Sequence, residues 1–72
     1  MKKYRIAILG GGNIGTSLAK GLIRSGQYDI EEIILTEKRE SRISFLKKAG
    51  FNITEDNNEA VSSAEIVVMA VK

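Results

Sequence analysis

A mostly apolar run, Tyr4-Arg5-Ile6-Ala7-Ile8-Leu9, leads directly into Gly10-Gly11-Gly12-Asn13-Ile14-Gly15. The first piece suits a short buried parallel strand. After the glycines, Ile14, Leu18 and Leu22 recur at helical spacing, with Ile23 widening the apolar face. A strand that passes through spaced glycines into a helix is a Gly-x-Gly-x-x-Gly turn. Each glycine has its own task. Gly10 lets the chain leave the strand sharply, Gly12 leaves the backbone open to a close neighbour, and Gly15 lets the helix lie against the strand. A kinase-type glycine loop would return into a strand, and a P-loop would need a lysine that Gly15-Thr16-Ser17 lacks. The context therefore favours a pyrophosphate-binding turn over an ordinary one. The helix start offers it unpaired N–H groups and the positive end of a dipole.

The rest of the chain alternates in the same way. A first helix is expected over residues 13–25, with Gly21 inside it to allow close packing on the sheet and Gly26 as its stop. Residues 27–31 read as a polar loop in which only Tyr28 and Ile30 pack. Ile33-Ile34-Leu35 marks a second buried strand over residues 32–36. A helix starting between Arg39 and Ser41 would turn Ile43, Leu46 and Ala49 inward, with Phe45 alongside, and end at Gly50. Residues 51–54 are a short strand. Asp56-Asn57-Asn58-Glu59 fits a capping box for a short helix to about Ser62. Ile66-Val67-Val68-Met69-Ala70-Val71 is the most apolar run and reads as a fully buried parallel strand. The β-α-β-α-β-α-β order predicts an α/β, Rossmann-type three-layer αβα fold. Its four parallel strands would run in the order 3-2-1-4 with right-handed crossovers. A switch point then falls between strands one and four, where ligands of open α/β sheets bind.

Composition removes several alternatives. The chain has 72 residues and reads as one domain over 1–72, with no repeat, linker or low-complexity tract. It contains neither cysteine nor histidine, so no disulfide, thiolate metal site or imidazole base is available. A net charge of +2 is too small to signal nucleic-acid binding. The Lys2, Lys3, Arg5 cluster suits a solvated strand entrance. No stretch has the length and apolarity of a membrane span or signal peptide, which points to a cytoplasmic setting.

Glu37 follows the second strand, about twenty residues beyond the last glycine. An acid there commonly holds the adenosine ribose hydroxyls and favours NAD. Lys38, Arg39 and Arg42 come next and suit a 2′-phosphate. Glu37 and Lys38 also suit loop residues capping the next helix. Asn57 fits either a helix start or the adenosine side of the crevice. Lys72 is a candidate for a phosphate or carboxylate.

With these segments in place, the chain resembles the amino-terminal part of pyrroline-5-carboxylate reductases. The matching pieces are Ile8 through Gly15, Lys20-Gly21-Leu22-Ile23 with Ser25-Gly26, Asp56 through Val61, and Met69-Ala70-Val71-Lys72. Coenzyme F420-dependent NADP reductases and β-hydroxyacid dehydrogenases share parts of this pattern. A free-standing NAD(P)-sensing module is the non-catalytic alternative. The resemblance implies reduction of a cyclic imine to proline with NADPH or NADH, NADPH being narrowly favoured, and a homo-oligomer. It implies cofactor contacts at Leu9, Gly10, Gly11, Gly12, Asn13, Ile14, Glu37, Lys38, Asn57, Ala70, Val71 and Lys72; Gly15 and Arg39 complete the site from the motif reading. Family members usually carry Asn or Ser where this chain has Glu37, which weighs against NADP. They also continue into an all-helical domain that builds the dimer and substrate pocket. The expectation is thus a cofactor-binding part alone, inactive by itself, with no catalytic residue and no metal.

Overall fold

The computed structural model describes residues 2–70. Strand β1 (Tyr4–Leu9) leads to helix α1 (Asn13–Arg24), a 3-10 turn (Ile30–Glu32) and strand β2 (Ile33–Thr36). Helix α2 (Glu40–Lys48), strand β3 (Asn52–Thr54), helix α3 (Asn57–Ser63) and strand β4 (Ala64–Met69) complete the order. The strands form one parallel sheet in the order β3-β2-β1-β4, as the alternation predicted.

Alternation along the central strands builds the three layers. Ile6 and Ile8 of β1, with Ile33 and Leu35 of β2, share a cluster with Ala19 of α1, Leu46 of α2 and Phe51. Ala7 and Ile34 point to the other face and meet Ala60 of α3 and Ala64. Ile8, Ile33, Leu35 and Leu46 are the largest fully buried side chains. Each contributes about 1.5–3 kcal/mol by leaving water. All four residues of β2 are buried, because β1 and β3 flank it and helices cover both faces.

Several expectations change. Ile14 is 54% exposed, so the inner side of α1 is Gly15, Thr16 and Ala19, with Leu18, Leu22 and Ile23 half-buried around the cluster. Gly21 lies on the exposed side, where an added Cβ would meet nothing within 4 Å, so sheet packing does not explain it. Ala49 and Phe45 are exposed, because α2 buries only Leu46 fully. The N-cap of α3 is Asp56, whose carboxylate accepts from the Asn58 and Glu59 amides at 2.8 and 3.2 Å. Glu59 does not reciprocate: the Asp56 amide donates to Thr54 Oγ1 instead.

The largest correction concerns β4. It starts at Ala64, immediately after α3, and its residues Ile66, Val67 and Met69 are 47%, 39% and 69% exposed. Among the described residues β4 pairs only with β1 and forms the sheet edge. A run apolar on both faces shows that a strand can be covered, and not how many neighbours cover it.

Candidate functional site

The turn after β1 is held by the end of β2. Gly10 N–H donates to Thr36 Oγ1 at 3.0 Å, and Gly11 N–H donates to the Thr36 carbonyl at 2.6 Å. Gly10 has φ +108°, a conformation that a side chain would strain. Gly11 is buried; a Cβ there would press on Thr36 O at 3.1 Å, Glu37 Cβ at 3.2 Å and Leu46 Cδ1 at 3.3 Å. A Cβ on Gly15 would collide with the Gly10 carbonyl, so the helix approaches the turn as closely as the motif requires. Gly12 differs from both. Its φ is −75°, and an added Cβ would meet only Arg39 Nη2 at 3.5 Å. It is the open glycine, and it sits at the N-cap of α1.

The first intrahelical bond of α1 runs from Thr16 N–H to Gly12 O. The amides of Gly12, Asn13, Ile14 and Gly15 are therefore the orphan donors of the helix start. No acidic residue occupies the first turn to compete for them. The Gly10 and Gly11 amides are already committed to Thr36, which divides the turn into an anchored half and a presenting half.

Around this turn lies a cleft of about 430 Å³ at the C-terminal ends of β1, β2 and β4. Of the predicted residues, Leu9, Gly10, Gly11, Gly12, Glu37, Lys38, Arg39, Asn57 and Ala70 line it. Asn13 and Ile14 border a second hollow of about 260 Å³ that shares Gly12 and Ala70. Gly15 is buried under the turn and lines neither. Val71 and Lys72 lie outside the described residues. The fold also brings in Thr36, Glu55 and Met69, which the sequence reading missed. A hydroxyl at the end of a strand next to a glycine turn was the available signal for Thr36.

Glu37 is a buried carboxylate with its lone pairs engaged. Oε2 accepts from the Lys38 amide at 2.9 Å, the Arg39 amide at 3.0 Å and Arg39 Nε at 3.1 Å. Oε1 accepts from Arg39 Nη2 at 3.0 Å. The Arg39 side-chain bonds, with help from the two amides, lower its pKa to about 2 against the opposing effect of burial. In return Glu37 raises the pKa of the exposed Arg39 guanidinium. Both readings of Glu37 thus meet in one group: it organises the entry to α2 and also borders the cleft. Asn57 likewise combines a place at the helix start, as the first residue of α3, with a place on the cleft. Asp56 performs the capping, while Asn57 is exposed in the cleft wall.

Arg42 does not line this cleft. From the first half of α2 its Nη2 donates to Gly11 O at 3.2 Å and to Thr16 Oγ1 at 3.1 Å, behind the turn. Among the described residues no cluster of His, Cys, Asp and Glu is arranged to hold a metal.

An open parallel sheet with a glycine turn between its first strand and helix, and a cleft at the strand ends, defines a Rossmann-type domain. The chain belongs to the family described as NADP oxidoreductase, coenzyme F420-dependent, whose model matches residues 5–72. Pyrroline-5-carboxylate reductase 1 of Dictyostelium discoideum is 42% identical over 73 residues, covering 99% of this chain and 13% of that protein. Pyrroline-5-carboxylate reductase 2 of the same organism is 45% identical, covering 92% and 22%. A solved pyrroline-5-carboxylate reductase from Coxiella burnetii aligns with a TM-score of 0.80 at 35% identity, covering 97% of this chain and 26% of that one. These matches bear out the resemblance to the amino-terminal part of such reductases. The chain spans about a quarter or less of the length of these relatives.

Proposed function

We propose that this chain is the cofactor-binding part of a reductase that delivers hydride from NADPH or NADH to pyrroline-5-carboxylate, giving proline. The observation that carries the reading is the divided turn: an open Gly12 and a row of orphan amides beside a cleft at the strand ends. The names of the relatives supply the substrate class. A bound nicotinamide supplies the hydride chemistry; the protein binds and orients it.

On this reading the amides of Gly12, Asn13, Ile14 and Gly15 take the pyrophosphate. Leu9, Gly10 and Gly11 shape the floor, and Ala70 flanks the nicotinamide side. Glu37, Lys38, Arg39 and Asn57 surround the adenosine ribose. Because Arg39 neutralises Glu37, neither cofactor meets a bare carboxylate there. Both should bind, within roughly tenfold of each other, a difference of about 1.4 kcal/mol. NADP(H) is narrowly favoured because Lys38 adds a second cation. The working protein is a homo-oligomer in this proposal.

The family description supports a second reading, an NADP reductase using coenzyme F420. The deciding experiment offers the full-length protein NADPH or NADH with pyrroline-5-carboxylate, and separately NADP with reduced coenzyme F420. Proline formation supports the first reading. Turnover with coenzyme F420 alone supports the second, and dinucleotide binding without either turnover would point to a sensing module.

A further inference from the structure

Arg42 is a cation of the predicted 2′-phosphate cluster that the cleft leaves out, and its placement is specific. Its guanidinium lies over the Phe45 ring at 5.4 Å and reaches across from α2 to the back of the glycine turn. There Nη2 donates to Gly11 O and Thr16 Oγ1, and the Thr16 hydroxyl donates to the same Gly11 carbonyl at 3.1 Å. A hydroxyl has one donor and two acceptor sites, so this arrangement is self-consistent. The two Nη2 bonds are the hydrogen bonds of this guanidinium among the described residues, and its Nε is buried without a partner there.

The Gly11 carbonyl and the Gly12 N–H belong to one peptide group. That peptide is trans, so its C=O and N–H point in opposite directions. With the carbonyl drawn toward Arg42 and Thr16, the N–H points away from those two side chains, and Gly12 itself lines the cleft. Hydrogen bonds in a chain polarise one another by roughly 10–30% each, and a charged donor strengthens the effect. The two bonds on the Gly11 carbonyl therefore both aim the Gly12 N–H and make it a better donor.

We propose that Arg42 is a positioning residue of the pyrophosphate turn, fixing and polarising the Gly11–Gly12 peptide from behind without touching the cofactor. This rests on the dinucleotide reading above. It assigns to Arg42 a role that serves NAD and NADP equally, unlike that of a 2′-phosphate ligand.

The test uses Arg42→Met, Arg42→Lys and Thr16→Val in the full-length protein. Binding of NADH and NADPH is titrated for each, and the Gly12 amide proton is followed by NMR in the cofactor-free state with glycine labelled by nitrogen-15. Arg42→Met should weaken both dinucleotides by about tenfold, leaving their ratio unchanged, and shift the Gly12 amide upfield. Arg42→Lys should restore most of both. Thr16→Val should cause a smaller loss of the same kind and keeps the test available if Arg42→Met fails to fold. Loss confined to NADPH would overturn the proposal by making Arg42 a phosphate ligand. An unmoved Gly12 amide would overturn it as well. A wild type that binds neither dinucleotide would instead remove the functional reading, while the amide shift would still decide the polarisation.

Discussion

Gly12 and Gly15 are three residues apart in one motif, yet their substitutions should fail in opposite ways. At Gly12 a Cβ has room and φ is −75°, so Gly12→Val should fold and lose dinucleotide binding, because the side chain occupies the pyrophosphate's space. At Gly15 a methyl group would run into the Gly10 carbonyl, so Gly15→Ala should cost about 1–3 kcal/mol of stability or more. Calorimetric titration beside thermal unfolding separates the two; unchanged affinity in Gly12→Val would reduce the glycines to a turn. Glu37 yields a pH prediction. Its pKa is lowered from 4.5 to about 2 in the fold, so its contribution is complete above about 4.5 and is lost as pH falls toward 2. Thermal midpoints measured down that range should fall more steeply for the wild type than for Glu37→Gln. In cofactor choice, Lys38→Ala with Arg39→Ala bares the Glu37 carboxylate and should shift preference toward NAD. Glu37→Ser should shift it toward NADP while loosening the start of α2; titrations in which neither variant moves the ratio would remove these side chains from the site. The glycine turn was legible from its spacing between strand and helix: Gly10 and Gly15 meet backbone demands that no side chain satisfies, and Gly12 keeps the cleft side open. The Glu37–Arg39 pair and the inward turn of Arg42 were not, because sequence shows which charges are near a site and not which partners they have taken.

Helix α1 shows how an element can be located correctly and oriented imperfectly. Its start at the glycine turn and its end before Gly26, which adopts φ +81°, follow from local chemistry. Its inner side does not follow from counting large apolar residues. Close approach to β1 is made by Gly15 and Ala19, and Ile14 is left exposed at the second hollow. Gly21, on the exposed side of the same helix, has no neighbour to accommodate. Gly21→Ala should therefore stabilise the chain by about 0.5–1 kcal/mol through helix propensity. That corresponds to a rise of a few degrees in thermal midpoint, using about 4–8 °C per kcal/mol for a domain of this size. An unchanged or lower midpoint would show that Gly21 has a role beyond the contacts seen here. The capping of α3 was half legible: Asp56 performs its part, and Thr54 takes the amide that Glu59 was expected to take.

For the molecule as a whole, layer assignment and strand order were readable because parallel strands need helical crossovers of one hand. The covering of β4 was not, since it depends on what stands beyond the sheet edge. Ile66, Val67 and Met69 give this chain an exposed apolar edge of the kind that pairs with another chain. The isolated chain should self-associate, and Val67→Lys should suppress it; a concentration-independent monomer in sedimentation would contradict this. The same topology also sets a timetable. β1 is central, yet its two partners are made at very different moments: Ile33 follows Ile6 closely, whereas Ala64 must reach Tyr4 across sixty positions of chain. At about 5–20 residues per second, a growing chain therefore carries one unpaired side of β1 for roughly 3–12 seconds. During synthesis the strand that ends in the glycine turn is itself a sheet edge, and it loses that status only when β4 arrives.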